Sequence, residues 1–172
     1  MKFLFLIIFL LFSCKKNLSV SESKGGKMVV EKNDTIEVEY TGKFENGEVF
    51  DTSKGRGPLK FKVGSGTLIP GFENACVGMK LGEEKTVLIK PEDAYGERNE
   101  SFVRKFPISM LPPDFKVEKG MYITLQSPDG RKIPAKVVNV DKESITLDMN
   151  HPLAGKNLIF DIKVVKIEKD KN

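Results

Sequence analysis

The sequence predicts a mainly β, α+β fold: an antiparallel sheet wrapped on one short helix, with a small β-rich domain inserted in a loop. Three observations predict it. Apolar and polar residues alternate with the period of half-buried strands through much of the chain from residue 28 onward. Only one stretch, opened by Pro70 and closed by Gly78, carries both a helix start and a helix stop signal. Between residues 99 and 149 the pattern is first interrupted by Phe106-Pro107 and Leu111-Pro112-Pro113, then resumes in three further strand-like runs.

In chain order, Met1-Lys2 leads into an unbroken apolar run over residues 3–12. A membrane-spanning helix needs roughly 20 residues, so the run reads as the apolar region of a signal peptide over residues 1–13. Leu11-Phe12-Ser13-Cys14 resembles a bacterial lipobox. That resemblance implies lipidation of Cys14 and an extracytoplasmic protein, lipid-anchored to a bacterial cell membrane on its periplasmic or surface face. Residues 14–27 are rich in Ser, Gly and Lys without hydrophobic periodicity, and read as a flexible tether.

The folded part begins with Ile36, Val38 and Tyr40 alternating against Glu37, Glu39 and Thr41. Asn46-Gly47, bracketed by Phe44 and Phe50, predicts a two-residue hairpin turn, because both positions tolerate positive φ. The helix is predicted over residues 71–77, and a strand over 86–90, closed by Pro91. The last strand carries Leu158, Phe160, Ile162 and Val164 on one face. Within the interruption, strands are predicted at 121–125, 133–140 and 145–149, joined by turns at 127–130 and 141–144. Because the final strand matches the earlier sheet, residues 28–98 and 150–169 read as one discontinuous domain and 99–149 as its insert.

Composition narrows the function. The net charge of +4 is interleaved, not segregated into the basic stripe that a nucleic-acid surface needs, so no nucleic-acid partner is expected. A disulfide between Cys14 and Cys76 would tie a processing site to a core element, and Cys76 reads as a buried small hydrophobe. The single histidine, His151, reads as structural and argues against a multi-histidine metal site. No metal or cofactor is expected, and the expected state is a monomer.

Val38-Glu39-Tyr40-Thr41-Gly42, Gly47-Glu48-Val49-Phe50-Asp51-Thr52-Ser53, Leu68-Ile69-Pro70-Gly71-Phe72-Glu73 and Ala94-Tyr95-Gly96 resemble the FKBP-type peptidyl-prolyl cis/trans isomerases, in the family's order and spacing. The closing run from Asn150-His151-Pro152-Leu153 to Phe160 resembles the SlyD branch, in which a substrate-binding insert replaces the flap loop. The resemblance implies an FKBP-like sheet and carries Tyr40, Phe50, Asp51, Leu59, Phe61, Leu68, Ile69, Phe72, Tyr95 and Phe160 into the family's pocket, with Leu153 at its rim. It implies that the Tyr95 hydroxyl bonds a substrate carbonyl. Asp51 lies near that carbonyl or bonds Tyr40; both remain open. Without the family pattern, Tyr40, Phe61 and Phe160 at alternating strand positions read rather as core, and Asp51 beside Thr52 and Ser53 as a turn or cap residue.

These residue types suit the chemistry. Rotating an X-Pro amide forfeits C–N resonance, and the twisted state carries less charge separation than the planar one. An apolar aromatic box favours the twisted state and grips the proline ring by shape. In the SlyD branch the insert captures unfolded chains, so unfolded polypeptides with X-Pro bonds are the expected partners. Phe102, Val103, Phe106, Ile108, Met110, Leu111 and Phe115 show little periodicity, and part of this stretch is expected to line an exposed apolar groove. A binding module that has lost catalysis is the competing reading.

Overall fold

The computed structural model describes residues 28–112, 115–127 and 129–170. The expected signal peptide, the tether and Cys14 lie outside the described residues, as do Pro113 and Pro128 of the expected breaks and turns. In chain order the elements are β1 (Thr35–Lys43), β2 (Val49–Thr52), β3 (Leu59–Lys62), α1 (Pro70–Cys76), β4 (Glu84–Ile89), β5 (Val103–Pro107), β6 (Tyr122–Gln126), β7 (Lys132–Val140), β8 (Ser144–Asp148) and β9 (Leu158–Glu168).

The first sheet is antiparallel in the order β2-β1-β9-β4, with β3 also paired to β1. β2 holds the C-terminal half of β1 (Thr41 opposite Thr52) and β3 the N-terminal half (Ile36 opposite Phe61). Alternation decides which face is buried: Ile36 and Val38 on β1 and Leu158, Ile162 and Val164 on β9 are almost wholly buried. A bulge then resets the phase. Glu37 opposes Lys166 while Val38 opposes Val164, so Val165 is the extra residue and Ile167 turns inward.

At seven residues α1 is too short to persist alone. Pro70 starts it without a side-chain cap, and Gly78, at φ 82°, follows its end. It is held by burial of Phe72, Ala75 and Cys76 against the sheet, the Phe72 ring alone being worth about 1.5–3 kcal/mol. Burial also pushes the Cys76 thiol up to about 12, which leaves it an inert core group.

The hairpin differs from the expected two-residue turn. Its loop is Glu45-Asn46-Gly47, closed by Gly47 N–H to Phe44 O and Phe44 N–H to Glu48 O, both 2.9 Å. Gly47 takes positive φ (86°) and Asn46 does not. A right-handed turn followed by one left-handed glycine also matches strand twist, and Asn46 instead accepts from Glu48 N–H at 3.0 Å.

Between β4 and β9 the chain builds a second antiparallel sheet, β5-β8-β7-β6, on its own core of Ala135, Val137, Ile145 and Leu147. Three of its strands fall within a residue of the predicted runs. The fourth, β5, corrects the sequence reading of residues 102–115 as lacking strand character. Val103-Arg104-Lys105-Phe106-Pro107 does not alternate, yet it pairs with β8 throughout, and Pro107 is tolerated at the end of an edge strand.

Two chain segments join the sheets and are pinned together. Arg98 bonds Asp148 through Nε (3.1 Å) and Nη2 (2.9 Å). Asn150 accepts from Asn99 N–H at 2.9 Å and donates to Asn99 O at 3.0 Å.

Candidate active site

On the helix side of the first sheet a cavity of about 390 Å³ opens to solvent. Its floor is aromatic because β1, β9 and α1 each send a ring to the same point. Phe72 of α1 meets Tyr40 edge-on (5.8 Å, 82°) and Phe160 edge-on (5.2 Å, 80°). Phe50 stands edge-on to Phe160 at 5.6 Å. Gly42 makes this possible: a Cβ there would sit 2.7 Å from Phe50 and 2.9 Å from Phe160. Leu59, Leu68, Ile69 and Ala94 complete the apolar wall, with Thr67 and Pro70.

The loop carrying Leu68 and Ile69 is held from beneath by Glu73, 5% exposed on α1. Its carboxylate accepts from Gly64 N–H (2.7 Å), Leu68 N–H (3.1 Å) and, more weakly, Gly66 N–H (3.4 Å).

One end of the cavity is polar. Tyr40 Oη donates to Asp51 Oδ2 at 2.6 Å, and Asp51 Oδ1 accepts from Thr52 N–H at 2.9 Å. The Arg56 guanidinium closes on the same carboxylate and on Thr52 O, and reaches Tyr40 Oη at 3.4 Å. Burial works to raise the Asp51 carboxyl, but the Tyr40 hydroxyl and Arg56 outweigh it and hold it below the usual carboxylate range. Burial and the neighbouring Asp51 carboxylate push the Tyr40 phenol up. The carboxylate is thus ionised and already bonded by three groups, so it shapes the field of the pocket and is not poised to take a proton.

Tyr95 stands at the rim, 40% exposed, with its ring stacked on His151 (4.0 Å between centroids, 3° between planes). Of the residues predicted from sequence, Tyr40, Phe50, Asp51, Leu59, Leu68, Ile69, Phe72, Tyr95 and Phe160 meet around this cavity. Phe61 and Leu153 do not line it: Phe61 is buried behind Phe72, 6.0 Å between rings, and Leu153 packs on the main core beside it. Sequence reasoning missed Arg56 and Glu73. Arg56 lies outside the family motifs and Glu73 closes one of them without a role assigned to it, and only the folded loops show what each binds.

An apolar box of this size, walled by ring edges and carrying one fixed dipolar end, accepts a small saturated ring and disfavours a strongly polarised amide within it. Binding that strengthens as the amide twists out of plane lowers the barrier to rotation, with no proton transfer or covalent bond. The comparisons agree. A family model described as FKBP-type peptidyl-prolyl cis-trans isomerase matches residues 26–165. A short-type peptidyl-prolyl cis-trans isomerase of Methanocaldococcus jannaschii is 39% identical over 155 residues, covering 81% of this chain and 95% of its own. The FKBP-type isomerase SlyD of Treponema pallidum is 37% identical over 134 residues, covering 78% and 76%. A probable FKBP-type 16 kDa isomerase of Pseudomonas fluorescens is 34% identical over 136 residues, covering 79% and 90%. The chain therefore belongs to the FKBP-type peptidyl-prolyl cis-trans isomerases, which turn X-Pro bonds in proline-containing polypeptides.

Proposed function

We propose that this isomerase assists the folding of proteins outside the cytoplasm, as a monomer lipid-anchored through Cys14, and that residues 99–149 form an inserted domain that captures unfolded chains for the pocket. Within the pocket, the Tyr95 hydroxyl donates to a substrate carbonyl and fixes its orientation. Asp51 acts through Tyr40 and Arg56, not on substrate directly.

The observation that carries the capture role is a second cavity of about 660 Å³ on the second sheet. Phe106, Met110, Leu111 and Phe115 line it, facing the edge strand β6. Met110 is 69% exposed and Tyr122, on β6, 59%. Large apolar side chains left in water beside a strand edge that is unpaired among the described residues suit loose recognition of extended segments. Of the remaining predicted residues, Ile108 packs on the second core, while Phe102 and Val103 lie outside the groove lining.

The test compares the full chain with a variant lacking residues 100–148, on a tetrapeptide and on a protein whose refolding is limited by one X-Pro bond. Loss of refolding assistance with retained peptide activity is the expected result. Undiminished refolding by the deletion variant would remove the capture role. Incorporation of labelled fatty acid, abolished by Cys14→Ala, tests the anchor.

A further inference from the structure

Tyr95 and His151 lie on the two segments that join the sheets, and their rings are nearly parallel at 4.0 Å. The imidazole accepts one hydrogen bond and sits on a backbone that is held at several points. Its Nδ1 accepts from Leu153 N–H at 3.2 Å, and its backbone carbonyl accepts from Ala154 N–H at 2.9 Å. Pro152 follows it and restricts its backbone. Asn150 before it is fixed to Asn99 and, through its side chain, to Asp148 at 2.7 Å. On the other segment Gly96, next to Tyr95, bonds Pro91 O at 2.8 Å and accepts from Gly155 N–H at 2.9 Å. Gly155 has φ 70°, and a Cβ there would meet Arg98 at 3.0 Å, so the two segments run as close as backbone allows. The imidazole, itself exposed, is therefore a plate stacked on one face of the half-exposed Tyr95 ring at the pocket rim, oriented by one hydrogen bond and a pinned backbone.

We propose that His151 is a positioning residue for the isomerase: its ring holds the Tyr95 phenol at the rim in the orientation from which the hydroxyl reaches substrate. The role rests on the reading of Tyr95 given under Proposed function. An exposed tyrosine without this plate samples several rotamers, and its hydrogen bond to substrate is weakened by the ordering it must then undergo on binding. The bond is made to planar and twisted amide alike, so its loss raises KM and spares kcat.

The test measures KM and kcat of the full chain on a tetrapeptide with a single X-Pro bond. His151→Asn removes the ring but leaves a side-chain oxygen able to accept from Leu153 N–H; His151→Phe keeps the ring and loses the acceptor. The expected result is a KM raised about 3- to 10-fold in His151→Asn, kcat within about twofold, and KM restored to near wild type in His151→Phe. In a Tyr95→Phe background His151→Asn should add nothing. His151→Ser serves as the ring-free variant if asparagine unsettles the turn, as read by the melting temperature. Damage in His151→Phe with none in His151→Asn would show that the Nδ1 bond matters and the stack does not, and equal damage from both would show that a ring at this position does not suffice; either overturns the proposal. A raised KM in Tyr95→Phe with none in His151→Asn overturns the positioning role alone. An unchanged KM in Tyr95→Phe overturns the reading of Tyr95 and the positioning role with it.

Discussion

Replacing Glu73 with alanine removes the carboxylate that ties the 64–68 loop to α1, and its cost can be worked from the geometry. Two of its bonds are of ordinary length, 2.7 Å to Gly64 N–H and 3.1 Å to Leu68 N–H; the third, at 3.4 Å, adds little. Hydrogen bonds to a charged group are worth about 1.5–3 kcal/mol each. Gly64, Gly66 and Thr67 are exposed, so water can replace part of what the loop loses, and the lower end applies. Two bonds at that end amount to about 3 kcal/mol, or about 6–12 °C in melting temperature for a chain of this size. Glu73→Gln keeps one acceptor oxygen and should fall between wild type and Glu73→Ala. Because Leu68 and Ile69 form the cavity wall, KM for a proline peptide should rise together with the loss of stability. Urea unfolding followed by far-UV circular dichroism is the assay, since the chain has no tryptophan. A Glu73→Ala midpoint corresponding to a change below about 0.5 kcal/mol, as for an ordinary surface substitution, would refute this reasoning.

Gly42→Ala should disturb the aromatic floor, because its Cβ would lie 2.7 Å from Phe50 and 2.9 Å from Phe160. A cost of about 1–3 kcal/mol and reduced peptide isomerisation are expected from unfolding curves and a protease-coupled assay. Asp51→Asn weakens the Tyr40 and Arg56 bonds without emptying the pocket, so kcat/KM should fall by about 2- to 10-fold and not to zero. Acid should destabilise the fold through Asp34: burial works to raise its carboxyl, but the Glu31 N–H, Lys169 and the Asp170 N–H outweigh it and hold it low. The stability it contributes is complete above the ordinary aspartate value of about 3.9 and is lost as pH falls through its lower folded value. Urea midpoints at neutral pH and at about pH 3 should differ less in Asp34→Asn than in wild type.

What the sequence by itself determined is local or periodic. Alternation at Ile36 and Val38 and from Leu158 to Val164 specified β1 and β9 and the face each buries, because a strand repeats every two residues whatever its partners. Pro70 and Gly78 bounded the helix to within a residue, since each imposes its backbone preference without help. The ordered motifs named the aromatic residues before their positions were known. Short-range signals failed where pairing decides conformation: β5 becomes a strand only because β8 offers an edge, and the hairpin takes one left-handed residue, not two. Tertiary structure alone decided the rest of the site. Arg56 reaches Asp51 and Tyr40 because the loop after β2 folds back toward the strand pair that carries them. Phe61 backs Phe72 instead of lining the pocket, and His151 finds Tyr95 across 56 residues of chain because the joining segments are pinned at Arg98–Asp148 and Asn99–Asn150. Such contacts depend on where distant segments end up in space, and neither composition nor periodicity carries that distance.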